Sequence, residues 1–243
     1  MKRRLFVAAL GASGLVGCSA MKQNLTTSLR GGLDSVEVLN HAIIGTRGMA
    51  RLYTEADIDR DFRVNSFDTP SDTRYVDAAR DNWAGYRLPV TGLVDRPQTF
   101  TLAELRAMPL QTQITRHDCV EGWSAIGKWR GVPLATIVAM VQPQAGARYV
   151  VFRCFDKDDS GTEYYESLDL HEAAHPQTLL ALDLNDKPID YDHGAPVRLK
   201  VPTQLGYKST KWVRAIDVAA AFPTPDSKGG YWEDNGYEWY AGI

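Results

Sequence analysis

The stretch Arg116-His117-Asp118-Cys119-Val120-Glu121-Gly122-Trp123-Ser124, with Trp129-Arg130-Gly131-Val132-Pro133-Leu134 just beyond it, decides how the rest of the chain is read. Residues 111–119 alternate in character and predict a strand that delivers Cys119 to a turn at Gly122. A cysteine at a strand end, close to Arg116 and His117, has neighbours that favour the thiolate. A soft thiolate suits a redox metal. The same cysteine also fits a buried core position, where a thiol packs as a small hydrophobe. Residue type leaves both readings open, because no second ligand cluster accompanies it.

The composition narrows the classes. The 243 residues suffice for one large domain or two small ones with a sizeable core. With 44% hydrophobic and 23% charged residues, disorder and collagen-like repeats are excluded. The net charge is -3 and no basic run follows the first four residues, so there is no electrostatic case for nucleic acid. The three cysteines, Cys18, Cys119 and Cys154, are too few for a disulfide scaffold and form no CxxC pair.

Residues 1–18 predict an export signal. Lys2, Arg3 and Arg4 make a positive start, and Leu5 to Val16 is apolar but too short to span a bilayer. Arg3-Arg4-Leu5-Phe6-Val7 resembles the core of a twin-arginine signal, with Lys2 in place of the usual Ser or Thr. Leu15-Val16-Gly17-Cys18 resembles a lipobox, which makes Cys18 the lipidated residue and the anchor the sole membrane contact. A plain signal peptide with an incidental cysteine is the simpler alternative. Residues 19–32 then read as a tether and 33–243 as one domain.

Along that domain, Leu33, Val36, Leu39 and Ile43 predict a short helix ending at Gly45, and 61–75 reads as loop. Residues 86–90 and 92–94 read as two short strands about a turn. Thr101 caps a short helix, and Gly131-Val132-Pro133-Leu134 opens another over 134–141. Further strands are expected at 149–155, 179–184, 197–201 and 212–218, with a helix over 168–175 stopped by Pro176. The fold class is α+β, with mixed sheets and short helices. Regular βαβ alternation and a GxGxxG loop are both absent, which disfavours a Rossmann fold.

The motif Cys119-Val120-Glu121-Gly122-Trp123-Ser124, then Trp129-x-Gly131-x-Pro133-Leu134, resembles the molybdopterin-binding domain of the sulfite oxidase family. It is closest to the branch holding the periplasmic methionine-sulfoxide reductase catalytic subunit. The similarity continues through 149–152, 170–180, 194–199, Val201-Pro202, Gly206-Tyr207-Lys208 and Lys211-Trp212, covering most of 60–220. The resemblance implies a sulfite oxidase-type fold and a molybdenum-molybdopterin cofactor without an attached nucleotide. Cys119 would be the sole protein ligand to molybdenum, the pterin dithiolene supplying other sulfurs. Arg198 would hold the pterin phosphate. Ser209, Thr210 and Lys211 match a cofactor-contacting segment, and Asn65, Asp68 and Thr69 fall where an upstream loop wraps the pterin.

Two positions depart from that branch. Cys154 stands where it has a threonine and His193 where it has an asparagine, and both can still form hydrogen bonds. Cys154 also fits a buried strand position, and a Cys119–Cys154 disulfide would block metal binding. Arg116, His117, Tyr207 and Lys208 are candidates for the pocket mouth, with Cys119, Tyr207 and Arg116 as the catalytic set. The aromatic-rich end, Gly230 to Ile243, reads as a packed tail or as a substrate or partner contact.

The resemblance implies oxygen-atom transfer to or from a small sulfur-containing or similar oxo substrate. With no CxxCH haem motif, electrons are expected to pass to a separate c-type cytochrome or membrane haem subunit. Two other classes compete: a non-catalytic binding lipoprotein on the same fold, and a thiol-disulfide protein using Cys119 and Cys154.

Overall fold

The computed structural model describes residues 48–65 and 67–243. The export signal with Cys18, the tether and the helix expected at 33–45 lie outside the described residues. Among the described residues, ten strands form two sheets. They are β1 (Arg87–Gly92), β2 (Gln98–Thr101), β3 (Gln111–Asp118), β4 (Ser124–Pro133), β5 (Tyr149–Lys157), β6 (Glu163–Asp169), β7 (Leu179–Leu184), β8 (Lys187–Pro188), β9 (Arg198–Lys200) and β10 (Val213–Ala219). One sheet has the order β2-β1-β10-β5-β6; the other runs β3-β4-β7-β8, with β9 also paired to β7. Five short helices punctuate them: α1 (Thr73–Arg80), α2 (Leu102–Ala107), α3 (Leu134–Val141), α4 (Leu170–Ala173) and α5 (Tyr231–Asp234). The mixed sheets with few short helices are the expected α+β class. No described helix is long and apolar enough to cross a membrane.

The core follows from alternation. On β7 every residue is buried, because both faces of the strand are covered. Leu180 and Leu182 point into the main core, where they join Val132 and Leu199 from their own sheet and Leu88, Phe152 and Ile216 from the other. Leu179 and Ala181 point the opposite way, into a second cluster with Phe62, Ala125 and Trp129. This second cluster lies under the strap at 48–65. The strap is tied to β3 by Tyr53 N–H donating to Ile114 O and by Gln177, whose side chain exchanges two hydrogen bonds with Ala50. It delivers Phe62, Arg63 and Asn65 to the site.

Several expectations need correction. Residues 86–94 contain one strand, Arg87–Gly92, not two about a turn. Its Gly92 abuts Val218 so closely that a Cβ would lie 2.2 Å from the Val218 oxygen. The helix expected over 134–141 forms as Leu134–Val141, but Gly131 to Pro133, which lead into it, belong to β4, a strand the sequence did not predict. Residues 73–75, read as loop, already belong to α1, whose N-cap Asp72 accepts from Arg74 N–H. Of 168–175, only Leu170–Ala173 is helical. Leu168 and Asp169 end β6, and the Asp169 carboxylate caps the helix by accepting from Glu172 N–H at 2.7 Å. Thr101 caps α2 as expected, in a reciprocal capping box with Glu104.

The inner face of β4 reads Ala125, Gly127, Trp129, Gly131, all buried. Glycine is required there by close approach: a Cβ at Gly131 would lie 2.1 Å from the backbone oxygen of Leu180 on β7. Gly131→Ala is therefore expected to destabilise the fold by about 2 kcal/mol and lower Tm by about 4–8 °C. Gly146→Ala, which meets nothing within 4 Å, should shift it little. Thermal unfolding followed by circular dichroism compares the two.

Candidate active site

The β3–β4 hairpin ends in a tight turn. Cys119 N–H donates to Trp123 O at 2.9 Å and Gly122 N–H to Cys119 O at 3.0 Å, with Gly122 at φ 87°. The turn presents Cys119 at a cavity whose walls come from several other parts of the chain, β5 and β6 among them through Asp156 and Tyr164. The strap gives Phe62, Arg63 and Asn65. The loop before β9 gives Asp192 and His193. The 198–211 stretch gives Arg198, Tyr207, Ser209, Thr210 and Lys211. The C-terminal segment gives Trp232 and Tyr237. Cys119, Asn65, His193, Arg198, Tyr207, Ser209, Thr210 and Lys211, all singled out in the sequence, thus surround one space.

Cys119 is half-buried and accepts from Asn65 Nδ2 at 3.6 Å. Burial pushes its pKa up, and the Glu121 carboxylate adds to this; the Glu121 backbone N–H, Arg63 and the Asn65 amide oppose it. The expectation that Arg116 and His117 favour the thiolate is corrected. On a strand these neighbours face opposite sides. Arg116 is exposed, lies outside the cavity lining and pairs with Asp118 at 2.8 Å. His117 faces inward, and burial, then Lys200 and Arg198, push its pKa well down, leaving it neutral. A thiolate at Cys119 therefore calls for a cation of the ligand's own, such as a metal ion.

The wall opposite is rich in cations. Arg198 and Lys211 form no ion pair among the described residues, and neither does Lys200 just behind them. Arg198 donates to His193 O at 3.0 Å, lies 5.3 Å over the Trp129 ring and leaves its buried Nε without a protein partner. Burial pushes its pKa down to about 10. Lys200 packs on Trp129 at 5.4 Å and donates to Arg116 O, with burial and then Arg198 driving its pKa down to about 7. Lys211 donates to Asn65 O, Phe67 O and Asp192 O, which ties the strap to the 192 loop. It sits 3.9 Å over Trp212, and burial followed by Arg198 brings its pKa to about 7. Gly194, at φ 110°, makes room for it: a Cβ there would lie 2.9 Å from Lys211 Cβ.

Other expected residues fall elsewhere. Lys208 is wholly buried between Glu166 at 2.5 Å and Glu233 at 2.6 Å, away from the mouth. Cys154 is buried and meets Thr210 Oγ1 at 2.8 Å, so Thr210 stands between it and the cavity. Both Cys119 and Cys154 are free thiols, and the disulfide is not formed. Asp68 and Thr69 line a separate surface depression, though Thr69 Oγ1 reaches Asp192 at 2.7 Å. His193 is held by Asp190 Oδ1 at 2.7 Å and Phe62 O at 2.8 Å.

Sequence reasoning missed Arg63 and Asp156 and assigned Trp123 and Glu121 no role, while Trp232 lies in the aromatic end read as a packed tail or as a substrate or partner contact. Asp156 lies on β5, two residues after Cys154, and points into the cavity with one oxygen unpartnered. Burial pushes its pKa up to about 7, against Lys211. The aromatic C-terminal segment is both packed tail and cavity wall: Trp232 stacks on Tyr237 at 5.2 Å and lines the space.

Residues 75–225 match the oxidoreductase molybdopterin-binding domain family. The chain is 39% identical over 236 residues to a putative protein-methionine-sulfoxide reductase subunit, YedZ1, of Azospira oryzae, covering 96% of this chain and 83% of that protein. It is 29% identical over 196 residues to the protein-methionine-sulfoxide reductase catalytic subunit MsrP of Campylobacter jejuni, covering 74% of this chain and 64% of that protein. Sulfane dehydrogenase SoxCD from Paracoccus pantotrophus shares the fold, with a TM-score of 0.51 at 24% identity over 57% of this chain and 39% of that one. The chain belongs to the oxidoreductase molybdopterin-binding domain family, a sulfite oxidase-like class of enzyme.

The residues present fit an anionic cofactor of that kind. Arg198 Nε and an Asp156 oxygen are buried polar atoms that the protein leaves unsatisfied, and both face the cavity. Arg198, buried with no ion-pair partner among the described residues, suits a phosphate. The cost of burying Lys200 shows in the cofactor-free protein. Below about pH 7 both folded and unfolded chains hold its proton; above it, only the unfolded chain does, up to 10.5. Stability should therefore rise from pH 7 to 9, by at most about 1.4 kcal/mol per pH unit from this group. Lys200→Met should flatten that rise in guanidinium unfolding curves. Equal slopes in both proteins would contradict it.

Proposed function

We propose that this chain is the catalytic unit of an exported molybdenum enzyme that reduces a sulfoxide, methionine sulfoxide in proteins being the first candidate. The observation that carries it is a cysteine thiol held by Asn65 at a cavity whose other wall bears Arg198 and Lys211, neither in an ion pair among the described residues. Cys119 is the protein ligand to molybdenum. Arg198, with Lys211 and Lys200 nearby, neutralises the pterin phosphate, and Asp156 and His193 accept from or donate to the ring system. The names of the Azospira and Campylobacter relatives support the sulfoxide.

When bound, the cofactor supplies two-electron oxygen-atom transfer. The overall reaction balances as sulfoxide plus two electrons and two protons giving thioether and water. The chain's own part is orientation and exclusion. Asn65 holds the Cys119 sulfur, Lys211 fixes the strap that carries Asn65, and Trp123, Trp232 and Tyr237 shield the opening from water. Electrons come from a separate haem protein, a c-type cytochrome or a membrane haem subunit. Residues 1–18 support twin-arginine export to the periplasmic side and lipidation at Cys18. The thiol-disulfide alternative is opposed by the burial of Cys154 behind Thr210.

Protein made in a cofactor-competent host should carry about one molybdenum per chain by plasma mass spectrometry. It should reduce methionine sulfoxide with a reduced viologen dye. Cys119→Ser should lower that activity by at least about 100-fold. Metal-free wild-type protein from such a host, or full activity in Cys119→Ser, would contradict the proposal.

A further inference from the structure

Two opposite charges flank Cys119 where the cavity opens. The Arg63 guanidinium lies 4.9 Å over the Trp123 ring, and Trp123 Nε1 donates to Glu121 Oε2 at 3.1 Å. One indole thus holds a cation on its face and an anion at its edge, and all three residues line the cavity with Cys119. Both charges act on the Cys119 sulfur, with opposite sign. The mouth thus carries one charge of each sign, whereas Arg198, on the 198–211 wall, has no ion-pair partner among the described residues.

This division of charge has a chemical consequence. An oxyanion such as sulfite would be drawn by Arg63 but opposed by Glu121. A neutral oxide carries only a polar S–O bond and needs one strong donor for its oxygen, with apolar surface for its alkyl groups. Arg63 is that donor, and Trp123 and Trp232 are that surface. We propose that Arg63 and Glu121 determine the specificity of this site: Arg63 binds the oxygen of a neutral, dipolar oxide and Glu121 excludes oxyanions. The proposal rests on the sulfoxide-reductase reading above and adds the residues that select the substrate.

Glu121→Gln keeps an acceptor for Trp123 Nε1 and removes the charge. The test uses the molybdenum-loaded enzyme, dimethyl sulfoxide as substrate and inorganic sulfate as competing anion. The ratio of the sulfoxide KM to the sulfate inhibition constant should rise about tenfold at low ionic strength and less in molar salt, as expected for a charge at the rim. Should Glu121→Gln lose its metal, Glu121→Thr serves the same comparison. Arg63→Gln should raise the sulfoxide KM by about tenfold, with partial recovery in Arg63→Lys. A ratio within twofold of wild type in the Glu121 variants would overturn the role of Glu121 while leaving the reductase reading intact. A loaded wild-type enzyme that oxidises sulfite and reduces no sulfoxide would overturn the reductase reading itself.

Discussion

Arg198, Lys200 and Lys211 are buried around two indoles, and none of them forms an ion pair among the described residues. Burying an unpaired charge costs several kcal/mol even after relaxation. The chain offsets part of this with Trp129 and Trp212 faces and with backbone carbonyls drawn from the strap and the 192 loop. The rest is a standing demand for an anion in the cavity. Gly194 makes room beside Lys211, and the strap at 48–65 is tied to β3 by a backbone hydrogen bond. An anionic cofactor completes this domain electrostatically as well as chemically.

The same logic separates the two ends of the cavity. Cys119 stands on a hairpin tip fixed by two backbone hydrogen bonds, so its position depends little on side-chain packing. The cations come from a segment between sheets, anchored through β9 to β7. The C-terminal segment closes the third side, and its anchor is Lys208 between Glu166 and Glu233. None of the three side chains lines the cavity, yet the triad holds α5, which carries Trp232. Catalytic geometry here rests on elements far apart in sequence, each fixed by its own local chemistry.

The legible parts of the sequence were those with a strong local signal. Strands β5, β7 and β10 are rich in β-branched and apolar residues, and α2 has its capping box. Strand β4 was hidden because two of its inward positions are glycines, so the apolar alternation is missing. Strand β6 was hidden by Glu166, a carboxylate whose burial makes sense only beside Lys208, 42 residues on. At the site, the motif around Cys119 and the segment 193–211 were found through family resemblance. Arg63 and Asp156 were not, because nothing near them in sequence announces a cavity contact. The misplacement of Arg116 was avoidable: period-two alternation lets only one of Arg116 and His117 face inward.

The central claim is that Cys119 binds the metal directly. X-ray absorption at the molybdenum edge, on wild type and on Cys119→Ser loaded in the same host, tests it most directly. The account predicts one fewer sulfur neighbour around molybdenum in Cys119→Ser than in wild type. Identical sulfur shells in the two proteins, with equal metal content, would contradict it.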